Sequence, residues 1–439
     1  MKKEKLINKN NTIISKNVSE ALNVKKTISS GNIMFVGEQD LTSLILSNIL
    51  QLNSSFVVTA SNNEIVSPDI ERFLKSNGYK VKILDLRPIH ESSECYNPLK
   101  RIKNEDDMCK FVDCIMMDWK SKDDFRRKLV HYLLMAVVAY VLEYNKEDKK
   151  NIIELSNFFI SNGYAYCEKD DNVYHAFEVI ENCSHDSLAY KYYTAYDKSS
   201  GKSKKEILSS VLQILQRYGI LSYKTFSKDT LTIESMEEEK IALFVIPDSQ
   251  NSFDAIYSIL YMQIIDALFE FEDKNRGSEL IPVQLFMNNF AKYTTIPEFG
   301  HNLAVMCNYK VSVRLFVKNI TQLKEKYSDI WKDMICNCSN IVFCGSSDFE
   351  TLSYFSEKIY NEKLDINKYK KKKFDFKKIY KEKGILLSKI FKKLNKFPKN
   401  KCIVFRNYIG KKEIIIDDKY YLTNHPLASS VSDDNYFKL

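Results

Sequence analysis

Residues 32–50 read NIMFVGEQDLTSLILSNIL. Ile33 to Val36 have the unbroken hydrophobicity of a strand covered on both faces. They run into Gly37, and beyond it Leu41, Leu44, Ile45 and Ile49 recur at helical spacing. A strand that turns at a glycine into a helix is where phosphate-binding turns are built, because backbone N–H groups point outward there. Yet the six residues after Gly37 contain neither glycine nor lysine. The stretch is a phosphate site, the remains of one, or a plain strand–helix connection.

The same strand signature recurs along the chain at SSFVVTA (54–60), KVKILDL (80–86), IALFVIPD (241–248), PVQLFMNN (282–289), VSVRLFVK (311–318), NIVFCG (340–345) and CIVFRN (402–407). Helical segments separate most of them; in 254–271, Ile256, Ile259, Leu260, Ile264 and Leu268 recur at helical spacing. This alternation predicts an α/β fold with a mostly parallel central sheet. Between 104 and 230 the strand pattern stops, and helices are expected over 106–119, 124–144, 151–161, 171–182, 187–196 and 202–218. The predicted organisation is an α/β domain in two parts, 1–103 and 231–410, with an all-helical domain at 104–230 inserted between them and a tail at 411–439.

The 439 residues, 44% apolar and 28% charged, fit a globular protein rather than a disordered one. The longest apolar run, YLLMAVVAYVL (132–142), is well short of the roughly 20 residues that span a bilayer. The N-terminus lacks the apolar segment of a signal peptide. A cytoplasmic protein that reaches a membrane only through partners is expected. The ten cysteines show no zinc spacing around Cys336, Cys338 and Cys344, and the six histidines are dispersed, so no metal site is expected. Between Lys363 and Lys401 there are 16 lysines and three acids, a local charge of +13 against −5 for the remainder. Lys370, Lys371, Lys372, Lys373, Lys377 and Lys378 are its candidate nucleic-acid contacts. The plainer reading is a solvated amphipathic surface, since lysine without arginine is a weak recognition signal.

In order along the chain, these landmarks resemble the TraG-like type IV coupling proteins. The resemblance rests on 11–37, FVVTASNNEI (56–65), GYKVKILDL with CYNPLKRI (95–102), GKSKKEILSSVLQIL (201–215), 229–264, 288–327 and 337–359. It implies a RecA-like P-loop domain with an inserted helical domain, ATP and Mg²⁺ as the family's cofactors, and DNA delivery to a conjugative type IV secretion channel. Members usually carry N-terminal transmembrane helices, whereas about 30 residues, none apolar enough, precede the first strand here.

Carried onto this sequence, the P-loop motif keeps Gly37 and places Thr42, Ser43 and Leu44 where glycine, lysine and serine or threonine belong. Glu38 and Asp40 line the turn instead. A carboxylate about 4 Å from a phosphate costs on the order of 4 kcal/mol at an effective dielectric near 20. The Walker B acids correspond to Asn288 and Asn289, amides that neither act as a base nor bind magnesium well. The segment after the second strand has Ala60 and Asn62 in place of Asp and Lys, keeping Glu64. Cys307 and Tyr309 stand where members carry arginines, and Lys318 stands where a glutamine senses the γ-phosphate. Lys318 could substitute for the missing lysine; the plainer reading pairs it with Glu38, Asp40 or Glu64. Apart from Gly37 and Glu64, the nucleotide-contacting positions have changed while the strand and helix patterns persist. The expectation is a non-hydrolysing pseudo-ATPase that binds no cofactor and acts as an interaction or recruitment subunit. Its expected partners are an active coupling ATPase or other secretion components, DNA or relaxosome proteins. The alternatives are an ATP-driven DNA translocase with an atypical site and a basic nucleic-acid-binding module.

Overall fold

The computed structural model describes residues 11–22, 30–38, 41–60, 65–87, 92, 94–117, 119, 121, 123–161, 172–248, 253–293, 295–363, 376–408, 411–425 and 427. Nine strands form one sheet: β3 (Ile33–Val36), β4 (Ser55–Thr59), β5 (Lys80–Asp85), β6 (Ile241–Ile246), β7 (Val283–Met287), β8 (Val311–Val317), β9 (Asn340–Phe343), β10 (Lys401–Tyr408) and β11 (Lys411–Asp418). Their spatial order is β11-β10-β9-β3-β8-β7-β4-β6-β5. All pairs from β9 to β5 are parallel, while β10 is antiparallel to β9 and to β11. The β3 strand thus lies mid-sheet between β8 and β9, which is why its four residues are all buried.

Alternate residues of the central strands feed two apolar layers. Ile33, Phe35, Phe56, Val58, Phe286 and Phe316 face one side. There they meet α1 (Thr42–Ile49), α2 (Pro68–Ser76) and a small hairpin of β1 (Asn11–Ile13) and β2 (Ser19–Ala21). Met34, Val36, Val57, Leu285 and Leu315 face the other side and join a core that continues into the helices. Both faces being covered explains the unbroken apolar runs in the sequence.

Between β5 and β6 the described residues contain helices and no strand: α3 (Glu105–Met116), α4 (Asp124–Tyr144), α5 (Ile152–Ser161), α6 (Asn172–Glu181), α7 (Leu188–Ser200), α8 (Lys204–Gln216) and α9 (Tyr223–Phe226). Local capping sets several starts. Asn104, Asp123 and Ser187 each accept a first-turn N–H, at α3, α4 and α7. The N-P-L turn before α3 is held the same way: Asn97 Oδ1 accepts from Leu99 N at 3.1 Å, and its Nδ2 donates to Lys150 O at 2.7 Å. The 21-residue α4 is largely buried and forms the spine of this helical unit. After β6 come α10 (Asp254–Lys274), α11 (Phe299–Val305), α12 (Ile320–Lys326), α13 (Trp331–Cys336), α14 (Phe349–Lys363) and α15 (Phe376–Asn395).

Two sequence expectations change. Residues 411–418, expected within a tail, form the edge strand β11, because β10 offers an antiparallel partner along its whole length. The β1–β2 hairpin was not anticipated; its strands have three residues each, too short for a periodic signal. No helix of the described residues is long and apolar enough to cross a membrane.

Candidate nucleotide site

The turn after β3 is closed by its neighbours in the sheet. Gly37 N donates to Val317 O at 3.0 Å, Glu38 N to Gly345 O at 3.2 Å, and Cys344 N to Val36 O at 2.8 Å. The loop after β9 therefore packs directly on Gly37. A Cβ there would lie 2.8 Å from both Cys344 Cβ and Gly345 O. This close approach requires the glycine whether or not a phosphate ever binds.

The Glu38 carboxylate is held by that same loop. It accepts from Ser347 Oγ at 2.9 and 3.0 Å, from Ser347 N at 3.1 Å and from Ser346 Oγ at 3.2 Å. A fixed carboxylate thus occupies the beginning of the turn. Thr42 and Leu44 are buried at the start of α1 and Ser43 is half-buried. The cavity beside them, lined by Leu41, Ser43, Leu44, Cys344, Lys419 and Tyr420 among others, measures about 40 Å³. That holds a few waters and not a triphosphate.

Lys318 follows Val317, the last residue of β8, and so lies beside the turn, exposed. Among the described residues it forms no ion pair; Glu38 is taken by the serines, and Asp40 and Glu64 lie outside those residues, as does Asn62. A second cation escaped the sequence reading. Lys419 is buried and donates to Cys344 O at 2.9 Å beneath the turn, and burial lowers its pKa. Its only sequence signal is a lysine after β11, and nothing local marks it as facing Gly37's neighbour.

Asn288 and Asn289 follow β7, half-buried. Asn289 has φ 53° and ψ 38°, a left-handed conformation that asparagine tolerates, and its carbonyl accepts from Lys292 N at 2.8 Å. Ala60 N donates to Val245 O at 2.8 Å, extending the β4–β6 pairing past Thr59. The Thr59 hydroxyl bonds those of Tyr257 at 3.0 Å and Tyr261 at 2.7 Å, and Tyr293 packs on Tyr257 at 4.4 Å. Burial pushes all three phenols above their ordinary range, so this cluster stays neutral and offers no base. Tyr309 stacks on Phe269 at 4.1 Å, and half-buried Cys307 lies in the same turn. Lys370, Lys371, Lys372 and Lys373 lie outside the described residues, and of Lys377 and Lys378 only the backbone, on α15, is described.

A mid-sheet strand ending in a glycine turn, with a helix behind it and parallel neighbours on both sides, defines the RecA-like P-loop class. Within that class the chain belongs to the type IV secretory system conjugative DNA transfer family, whose sequence profile matches residues 2–378. The family's function implies contact with type IV secretion components and DNA. The bacterial conjugative coupling protein TrwBdeltaN70, in its unbound monoclinic form, superposes with a TM-score of 0.64 at 11% identity, covering 97% of this chain and 93% of that one. The plasmid coupling protein TrwB in complex with ADP and Mg²⁺ gives 0.63 at 11% identity, covering 93% and 88%. At such identities the likeness is one of fold. No curated protein matches the chain.

Proposed function

We propose that this chain is a non-hydrolysing member of the family, a pseudo-ATPase that serves conjugative DNA transfer as an interaction or recruitment subunit. The observation that carries the reading is the turn after Gly37, where Glu38 is fixed by Ser346 and Ser347. Phosphates would meet a carboxylate there instead of a lysine, and Asn288 and Asn289 supply neither a strong Mg²⁺ ligand nor a base. Its partners on this reading are an active coupling ATPase or another secretion component, with relaxosome proteins or DNA as further candidates, and any membrane position comes through those partners. The helical unit from α3 to α9 is the proposed docking surface.

Titration with ATP and Mg²⁺ is expected to give no saturable heat and no rise in melting temperature. Saturation at 100 times Kd would add about 2.7 kcal/mol of stability. DNA-stimulated ATP hydrolysis that disappears in Lys318→Ala would overturn the proposal in favour of an atypical translocase.

A second reading rests on the exposed Lys389, Lys392, Lys393, Lys396 and Lys399, on α15 and just beyond it. As a nucleic-acid surface they predict DNA binding whose log affinity falls linearly with log salt, by about 0.9 per neutralised phosphate contact. Glutamine at Lys389, Lys392 and Lys393 should make that slope shallower. Unchanged binding in this triple variant would remove the reading.

A further inference from the structure

We propose that Cys109, Asp113 and His131 form a divalent-cation site, with Zn²⁺ the ion that fits best. Cys109 and Asp113 stand one helical turn apart on α3 and so share a face. His131, on α4, lies opposite them because α3 and α4 pack together. The thiol sulfur, a carboxylate oxygen and a ring nitrogen all lie within 4.8 Å of one another. Cys109 Sγ is 3.7 Å from His131 Nε2, and Asp113 Oδ1 is 3.4 Å from the same nitrogen. A tetrahedral ion bound at about 2.3 Å to sulfur and about 2.0–2.1 Å to nitrogen and oxygen separates its ligands by about 3.3–3.6 Å. Both distances to Nε2 are within a few tenths of an ångström of these values, and the sulfur–carboxylate separation is under 4.8 Å.

Two simpler readings explain less. A nucleophile–base–carboxylate relay needs the cysteine and the aspartate on opposite ring nitrogens, whereas both here face Nε2. A histidine–carboxylate pair accounts for Asp113 and leaves the thiol without a role. Convergence of three donors on one point is the geometry of ligation.

The surroundings agree. His131 is 21% exposed and Asp113 53%, so an ion can enter from solvent and keep a water in its fourth position. Thiolate, imidazole and carboxylate together suit Zn²⁺ rather than Mg²⁺ or Ca²⁺, which prefer oxygen alone. A bound ion would clamp the first two helices of the helical unit.

The test is a titration of the metal-free full chain with Zn²⁺ against a chromophoric chelator, and in parallel with Co²⁺. One equivalent is expected, with a thiolate-to-Co²⁺ charge-transfer band and the visible bands of tetrahedral cobalt. Cys109→Ser and His131→Ala should each weaken Zn²⁺ binding by more than about 100-fold, the upper end of what losing a mere supporting contact costs. Asp113 is half exposed, so Asp113→Asn folds without difficulty and should weaken binding at least about 10-fold. Zn²⁺ should raise the melting temperature of the native chain and leave that of Cys109→Ser unchanged. Absence of binding, a cobalt spectrum without the thiolate band, or loss of binding only when the exposed Cys336 is changed to serine would overturn the proposal.

Discussion

Replacing Glu20 by glutamine should cost the fold about 1–3 kcal/mol in denaturant unfolding, because it takes a carboxylate away from the surroundings of a buried cation. The charge in question belongs to Arg314, 2% exposed on the central strand β8. Burial pushes its guanidinium pKa down to about 9, and the Glu20 carboxylate pushes it back up. Arg314 Nη2 donates to Thr12 Oγ1, which donates in turn to Gln284 Oε1 at 3.0 Å. Glu20, 4% exposed, accepts from Asn340 Nδ2 at 3.1 Å. Among the described residues, Nε and Nη1 of Arg314 find no acceptor, so this guanidinium depends on field as much as on hydrogen bonds. Adding Arg314→Met to Glu20→Gln should recover most of the loss, because an apolar side chain of similar size needs no counter-charge. A loss below about 1 kcal/mol for Glu20→Gln would mean that the two charges are not coupled. These hydrogen bonds matter to the site because they fasten the β1–β2 hairpin to β8 and β9, the two neighbours of β3, from which the Gly37 turn springs.

The second large effect is on pH. Glu237 is wholly buried, neither carboxylate oxygen has a hydrogen-bond partner among the described residues, and its pKa is pushed up to about 8. Burial is the main cause; Glu272 adds to it and Lys310 opposes it. Lys310 is already engaged with Glu272 at 3.2 Å. The folded state therefore binds more protons than the unfolded chain between pH 4.5 and about 8. Stability from this group is fully present below 4.5 and is lost as pH rises through 8, on the order of 3–5 kcal/mol in all. Asp266, pushed up to about 6, acts in the same direction over a narrower range, and His425, pushed down to about 4, acts in the opposite one. The readout is accordingly the difference between two profiles. Glu237→Gln should be more stable than the native chain at pH 9 and nearly equal to it at pH 4.5. Parallel profiles would overturn the assignment.

Much of the fold was legible in the sequence because hydrophobic periodicity is a local property. The eight strands expected from apolar runs lie within a residue or two of β3 to β10, and the helix expected over 124–144 coincides with α4. What stayed hidden was encoded by partners far along the chain. The run KKEIII (411–416) becomes a strand because β10 pairs with it along its whole length. Cys109 and Asp113 show a one-turn spacing in the sequence, yet only the packing of α3 on α4 brings His131 within reach.

The assignment of the P-loop and Walker B positions rests on the sequence alone, since motif chemistry depends on residue type and spacing. Only the tertiary structure decided where Glu38 points and why Gly37 remains. Ser346 and Ser347 lie some 300 residues away and reach Glu38 because β9 is the parallel neighbour of β3. That neighbour also leaves no room for a Cβ at Gly37, so a glycine that looked like the vestige of a phosphate site is fixed by strand packing.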